Sequence, residues 1–172
     1  MPQNVEVKVR VSDLATVRAR LPALGARHSH DEEQVDRYFL LDGARRMKLR
    51  VRRPGGAELI EYDRSEATGV RTSTYEIRPV RDQAAGLCQV PHGEPIAVVR
   101  KRRELWMLEN VRIHLDTVEM LGTFLELEAV VSLRHDEAAC RRQVDEILSH
   151  LGIAGASAVR ASYGELVSAE RG

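Results

Sequence analysis

The chain has 172 residues, with 26 Lys and Arg against 26 Asp and Glu, and two cysteines. That length suits a single domain, residues 1–172, with enough chain to bury a core, and the balanced charge gives no reason to expect nonspecific binding to nucleic acid or membrane. Cys88 and Cys140 lie far apart with no CxxC spacing, which argues against a disulfide framework or structural zinc, and no apolar run approaches the roughly 18–20 residues of a membrane span.

The first element is "NVEVKVRV", residues 4–11, whose odd positions are Val5, Val7, Val9 and Val11 and whose even positions are polar or charged. A period of two predicts a strand with one apolar and one charged face. No signal-peptide pattern precedes it, so a cytoplasmic protein is expected. "SDLATVRARLPAL" follows, with Ser12 or Asp13 as N-cap and Leu14, Val17, Leu21 and Leu24 at helical spacing, ending near Gly25. Strands are predicted over 33–41, 46–53 and 57–64, joined by turns at Asp42-Gly43 and Pro54-Gly55-Gly56. After a tip, "EATGVRT", another strand runs over 73–80, then a short helix candidate, "RDQAAGLCQV", and a loop at 92–95. Three more strands are predicted over 96–108, 110–118 and 122–131. A helix follows at 136–153, with Ala139, Val144, Ile147, Leu148 and Leu151 as its apolar stripe, and a helical turn at 162–167.

This makes eight or nine strands, mostly antiparallel, each pairing an apolar face with a dense charged one. Such faces carry too much charge for a sandwich core. A closed or nearly closed α+β barrel resolves this, with apolar residues outside under helices and a polar, wet interior. The charge is also segregated: "RRMKLRVRR" (45–53) and "RKRR" (100–103) are basic, whereas Asp116, Glu119, Glu126 and Glu128 cluster later. Blocks of opposite sign suit a site that holds a polyanion on one side and a cation on the other. In 46–53, Lys48, Arg50 and Arg52 share one face, and Arg forks match phosphate oxygens. Glu126 and Glu128 are two apart and share another face, as carboxylates for Mg²⁺ or Mn²⁺ would. His114 alternates with Arg112 and Asp116; as a lone histidine it is read as structural. Trp106 is read as core packing; Tyr38 suits either packing or stacking on a base.

These stretches resemble the CYTH family, the triphosphate tunnel metalloenzymes, which includes class IV adenylyl cyclases and thiamine and inorganic triphosphatases. Asn4-Val5-Glu6-Val7-Lys8 is similar to the family's ExExK strand, "QVDRYF" (34–39) to its QxDxYF strand and "KLRVR" (48–52) to its LRxR strand. "VVRKRRELW" (98–106) resembles its later KxR strand, and "VRIHLDTVEMLGTFLELE" (111–128) its RxxLD…LGxFxExE segment. The resemblance implies an eight-stranded antiparallel tunnel whose charged faces point inward. It implies a small-molecule triphosphate substrate, held by Lys8, Arg10, Lys48, Arg50, Arg52, Lys101, Arg103 and Arg112. Glu6, Asp116, Glu126 and Glu128 would be ligands of Mg²⁺ or Mn²⁺, and Lys8 and Glu6 catalytic groups. A homodimer is compatible with it.

Two departures stand out. Asn4 occupies the position of the first glutamate and brings an amide oxygen without charge. Where relatives end the strand here reading "LIEYDR" with a lysine, this chain has Glu61, Asp63 and then Arg64, with Arg71 on the following tip as compensation. Three functions follow: a metal-dependent cyclase or triphosphatase, a repurposed tunnel for a less anionic ligand, or a non-enzymatic polyphosphate-binding module. The retained pair Glu126 and Glu128 argues against the third, because anion capture needs no metal ligands.

Overall fold

A computed structural model describes residues 3–42, 45–63 and 70–171. Eight strands form a closed barrel: β1 (Gln3–Arg10), β2 (Arg27–Leu40), β3 (Arg45–Arg53), β4 (Ala57–Asp63), β5 (Arg71–Val80), β6 (Ala97–Leu108), β7 (Val111–Val118) and β8 (Gly122–Val130). The order around the wall is β1-β5-β4-β3-β2-β6-β7-β8, every pairing is antiparallel, and β8 returns to β1. This is the eight-stranded antiparallel tunnel that the resemblance implies, and its closure is what the alternating charged and apolar faces require. Closure gives each of the eight strands a neighbour on both sides.

Alternation along each strand sends alternate residues to opposite sides of the wall. On β1, Val5, Val7 and Val9 point outward into a core shared with Val111, Ile113, Leu125 and Leu127. Helix α3 (Glu137–His150) lays Cys140, Val144, Ile147 and Leu148 onto that core, and α1 (Leu14–Arg20) adds Val17. Asp13 is the N-cap of α1, accepting from the amides of Ala15 and Thr16, while Asp136 caps α3 through the amide of Ala139. Gly25, at φ +84°, ends the 3₁₀ turn Leu21–Leu24 that extends α1. The short helix α2 (Gln83–Leu87) covers a second outer cluster of Phe39, Met47, Leu49, Ala57 and Leu59.

The structure differs from the sequence reading at several ends. β2 starts at Arg27 rather than 33, because "RHSHDE" has no apolar alternation to reveal it; it is held as strand by pairing with β6, with a bulge between His28 and His30. The expected turn at 162–167 is a full helix, α4 (Tyr163–Glu170), opened by a capping box in which Ser162 accepts from the amide of Glu165 and the Glu165 carboxylate accepts from the amide of Ser162. Gly43, Arg64 and most of the expected tip lie outside the described residues, as does the side chain of Arg71.

Candidate functional site: a tunnel with segregated charge

The inward faces enclose a cavity of about 370 Å³. β1 contributes Asn4, Glu6 and Lys8; β3 contributes Arg46, Lys48, Arg50 and Arg52; β6 contributes Lys101 and Arg103. Arg112 and His114 enter from β7, and Glu126 and Glu128 from β8. All but two of the residues expected at the site line this cavity.

The exceptions are Arg10 and Asp116. Arg10 keeps the parity of Glu6 and Lys8, but it is the exposed last residue of β1. Its guanidinium lies over the Phe124 ring, 4.7 Å from the centroid, and donates to the Leu121 carbonyl, so it is not part of the lining. Asp116 is fully buried beneath the lining, where it accepts a two-pronged bond from Arg103 (2.7 and 2.6 Å) and one from the Tyr163 hydroxyl (2.8 Å). Those three donors occupy its oxygens, so it orients Arg103 instead of presenting an oxygen to the lumen.

On one side of the lumen, cations outnumber carboxylates. Asp36, 1% exposed, accepts a two-pronged bond from Arg50 at 2.8 Å and lies 3.5 Å from the Lys101 ammonium and 3.8 Å from that of Lys48. Three cationic side chains thus share one anion, leaving an excess of positive charge to be met from the lumen. Burial opposes ionisation of Asp36, yet Arg50, Lys101 and Lys48 together hold its carboxyl well below the usual range. Burial, with Arg103 adding repulsion, lowers Lys101 to about 7 against the pull of Asp36. Burial and Arg50 lower Lys48 to about 8. Arg52 pairs with Glu58 at 3.3 Å.

On the other side carboxylates gather. β8 is placed between β1 and β7 so that Glu126 lies opposite both Lys8 and His114, and Glu128 opposite both Glu6 and Arg112. Glu126 is 2.8 Å from Arg103, 3.9 Å from Lys8 and 3.5 Å from His114 Nδ1; Glu128 is 3.0 Å from Arg112, which also donates to the Tyr75 hydroxyl at 3.2 Å. Burial works against ionisation of both carboxyls, but Lys8, His114 and Arg103 keep Glu126 well below the usual range, and His114 and Arg112 lower Glu128. Both are therefore ready as anionic oxygen donors. Donor atoms of His114, Glu126 and Glu128 all lie within 4.8 Å of one another, a spacing a single divalent ion can span. The buried Oδ1 of Asn4, whose residue is 2% exposed, has no hydrogen-bond partner and belongs to the same lining. The donor set thus fits a divalent cation.

Tyr163, the first residue of α4, ties the two sides together. Its ring lies 4.0 Å from the Lys8 ammonium and 4.9 Å from that of Lys101, and stacks edge-on against Phe124 at 5.0 Å. The backbone can come this close because residue 164 is glycine: a Cβ there would meet the Tyr38 ring at 2.8 Å. Asp36 and Tyr163 were given no role in the sequence reading. The signal for Asp36 was present, since it alternates with Gln34 and Tyr38; Tyr163 carried none, because only the docking of α4 brings it to the lumen.

The two departures also resolve. Glu61 points outward and pairs with Arg45 at 2.9 Å and Arg78 at 4.0 Å. β4 presents Glu58, Ile60 and Tyr62 to the lumen with Asp63 beside them, so its described residues place no cation there. Ile60 and Tyr62 instead join Leu40, Ile77 and Ile96, the last three 50, 44 and 48% exposed, in an apolar lining where β2 and β4 end and β3 begins. Trp106 packs on the outer core, as expected.

The chain is similar to known proteins over nearly its whole length. A Methanocaldococcus jannaschii protein with a provisional adenylate cyclase name is 29% identical over 172 residues, covering 95% of this chain and 97% of the relative. Adenylate cyclase CyaB of Aeromonas hydrophila is 26% identical over 175 residues, covering 93% and 86%. The solved PH1012 protein of Pyrococcus horikoshii superposes with a TM-score of 0.83 at 25% identity, covering 95% of this chain and 99% of that one. No helix among the described residues is long and apolar enough to cross a membrane. The CYTH domain profile matches residues 2–163, and with that match over a closed tunnel of inward charges, the chain belongs to the CYTH family.

Proposed function

We propose that this protein is a metal-dependent enzyme acting on a nucleoside or other organic triphosphate inside the tunnel. The observation that carries the proposal is the division of the lumen: an excess of cations around Asp36 and a carboxylate group at Glu126 and Glu128, in one cavity. A polyphosphate needs both, one to meet its charge and one to hold a cation against its oxygens. The apolar lining around Leu40, Ile60, Ile77 and Ile96 offers an organic group a surface that bare tripolyphosphate would not use.

In this reading Lys48, Arg50, Arg52, Lys101, Arg103 and Arg112 bind phosphate oxygens, and Lys8 orients the chain between Glu126 and Tyr163. Glu126, Glu128 and Glu6 would hold Mg²⁺ or Mn²⁺, which when bound neutralises charge on the phosphate oxygens. Cyclase chemistry is the preferred version, in keeping with the name of the Aeromonas relative. The ribose 3′-hydroxyl attacks the α-phosphorus, a new P–O bond forms, the bond to pyrophosphate breaks, and Glu6 accepts the hydroxyl proton. In the hydrolytic version water attacks a terminal phosphorus instead. The missing inward cation on β4 and the uncharged Asn4 favour a second reading, a tunnel adapted to a less anionic ligand.

Calorimetry with ATP, thiamine triphosphate and tripolyphosphate, each with and without Mn²⁺, tests this when the products are analysed in the same samples. Metal-dependent binding with cyclic AMP and pyrophosphate supports the cyclase, and phosphate release the triphosphatase. Failure of all three to bind rejects the proposal in favour of the second reading.

A further inference from the structure

We infer that His114 is a ligand of the lumen cation, so that the site is a mixed nitrogen–oxygen one that prefers Mn²⁺ and later transition ions to Mg²⁺. This rests on the metal-dependent reading above and specifies which cation it takes.

His114 is 4% exposed and faces the lumen, yet its Nδ1 is buried with no hydrogen-bond partner. Its nearest polar neighbours are carboxylate oxygens that sit too far away for a short hydrogen bond, an arrangement in a buried polar group that calls for an explanation. Nδ1 lies 3.5 Å from Glu126 Oε2 and 4.0 Å from Glu128 Oε1. Neither separation is that of a short hydrogen bond. Ligands about 2.1 Å from one ion are roughly 3.0 Å apart when at right angles and about 4.2 Å apart when opposite. Both observed separations fall inside that interval.

The arrangement follows from register. His114 is directly opposite Glu126 across β7 and β8, and Glu128 lies two residues further along the same face. The groups facing this point are Glu6 and Lys8 from β1, Arg103 from β6 and Arg112 from β7. A cation must displace some of those pairings. Arg103 has Asp116 and Arg112 has the Tyr75 hydroxyl to fall back on. A neutral imidazole is also the ligand that adds donor strength without adding charge. Asn4 has removed one carboxylate from this wall, and His114 supplies a donor in its place. Hard Mg²⁺ takes oxygen ligands and keeps its waters, whereas imidazole suits transition ions, with Mn²⁺ at the weak end of that series.

The test uses the full metal-free chain titrated with Mn²⁺ and read by pulsed EPR, where a directly bound imidazole gives ¹⁴N modulation. The expected result is ¹⁴N modulation that is lost in His114→Gln, with Mn²⁺ affinity reduced about tenfold or more and Mg²⁺ affinity changed less than twofold. Uniform ¹⁵N-histidine labelling of the unmutated chain should convert the signal to ¹⁵N, which keeps the test open if the variant does not fold. Bound Mn²⁺ without nitrogen modulation, or equal losses for Mn²⁺ and Mg²⁺, overturns the assignment of His114 while leaving a carboxylate metal site intact. No Mn²⁺ binding with or without tripolyphosphate overturns the metal-dependent reading and this inference together.

Discussion

Binding a polyanion in this tunnel should take up protons. Lys101 and Lys48 lie at about 7 and about 8 because burial and neighbouring arginines disfavour their charge. Phosphate oxygens would reverse that balance and require both to be charged. For groups protonated in the complex, affinity is fully present below the free values and is lost as pH rises through them. At pH 7 the free protein lacks about 0.6 of a proton on the two amines and at pH 8 about 1.4. The corresponding factors on affinity are about 2.2 and 22, so binding should weaken about tenfold over that unit, or about 1.4 kcal/mol. Tripolyphosphate titrations at the two pH values, repeated in buffers of different ionisation enthalpy, measure affinity and proton uptake together. Tripolyphosphate itself loses a terminal proton in this range, so its own titration, measured without protein, is subtracted from both readings. Lys101→Arg, which stays charged, should reduce the tenfold change to about twofold. Equal affinity at pH 7 and 8 with no proton uptake would refute the argument that these lysines face bound phosphate.

Asp36→Asn leaves Arg50, Lys101 and Lys48 without their shared anion and should cost about 3–5 kcal/mol in urea unfolding, with part of the loss recovered when tripolyphosphate is added. Gly164→Ala sets a methyl against the Tyr38 ring and should lower stability by about 1–3 kcal/mol, read as a reduced Tm. Asn4→Glu adds a carboxylate to the lumen wall and should tighten Mn²⁺ binding about tenfold in calorimetry, since affinity of such sites follows ligand charge; unchanged binding would place residue 4 away from the ion.

The alternation of valines with charged residues in 4–11, and of Met47, Leu49 and Val51 with Lys48, Arg50 and Arg52, decides by itself that each strand has a wet and a dry face. That is local geometry, since a strand has a period of two whatever it pairs with. The same local rule brought Glu6, Lys8, Lys101, Arg103, Arg112, Glu126 and Glu128 to one lumen. It could not say where the wall stops: Arg10 has the right parity but lies past the lining, against Phe124 and Leu121. Nor could it distribute partners. Asp116 is turned from candidate ligand to the buried anchor of Arg103 because α4 swings Tyr163 over it from 47 residues away. Asp36 becomes the hub of three cations because closure puts β2 between β3 and β6. Which face each residue takes is set by its immediate neighbours in the chain, whereas which charge meets which is set by strand register and helix docking, and both of those exist only once the barrel has closed.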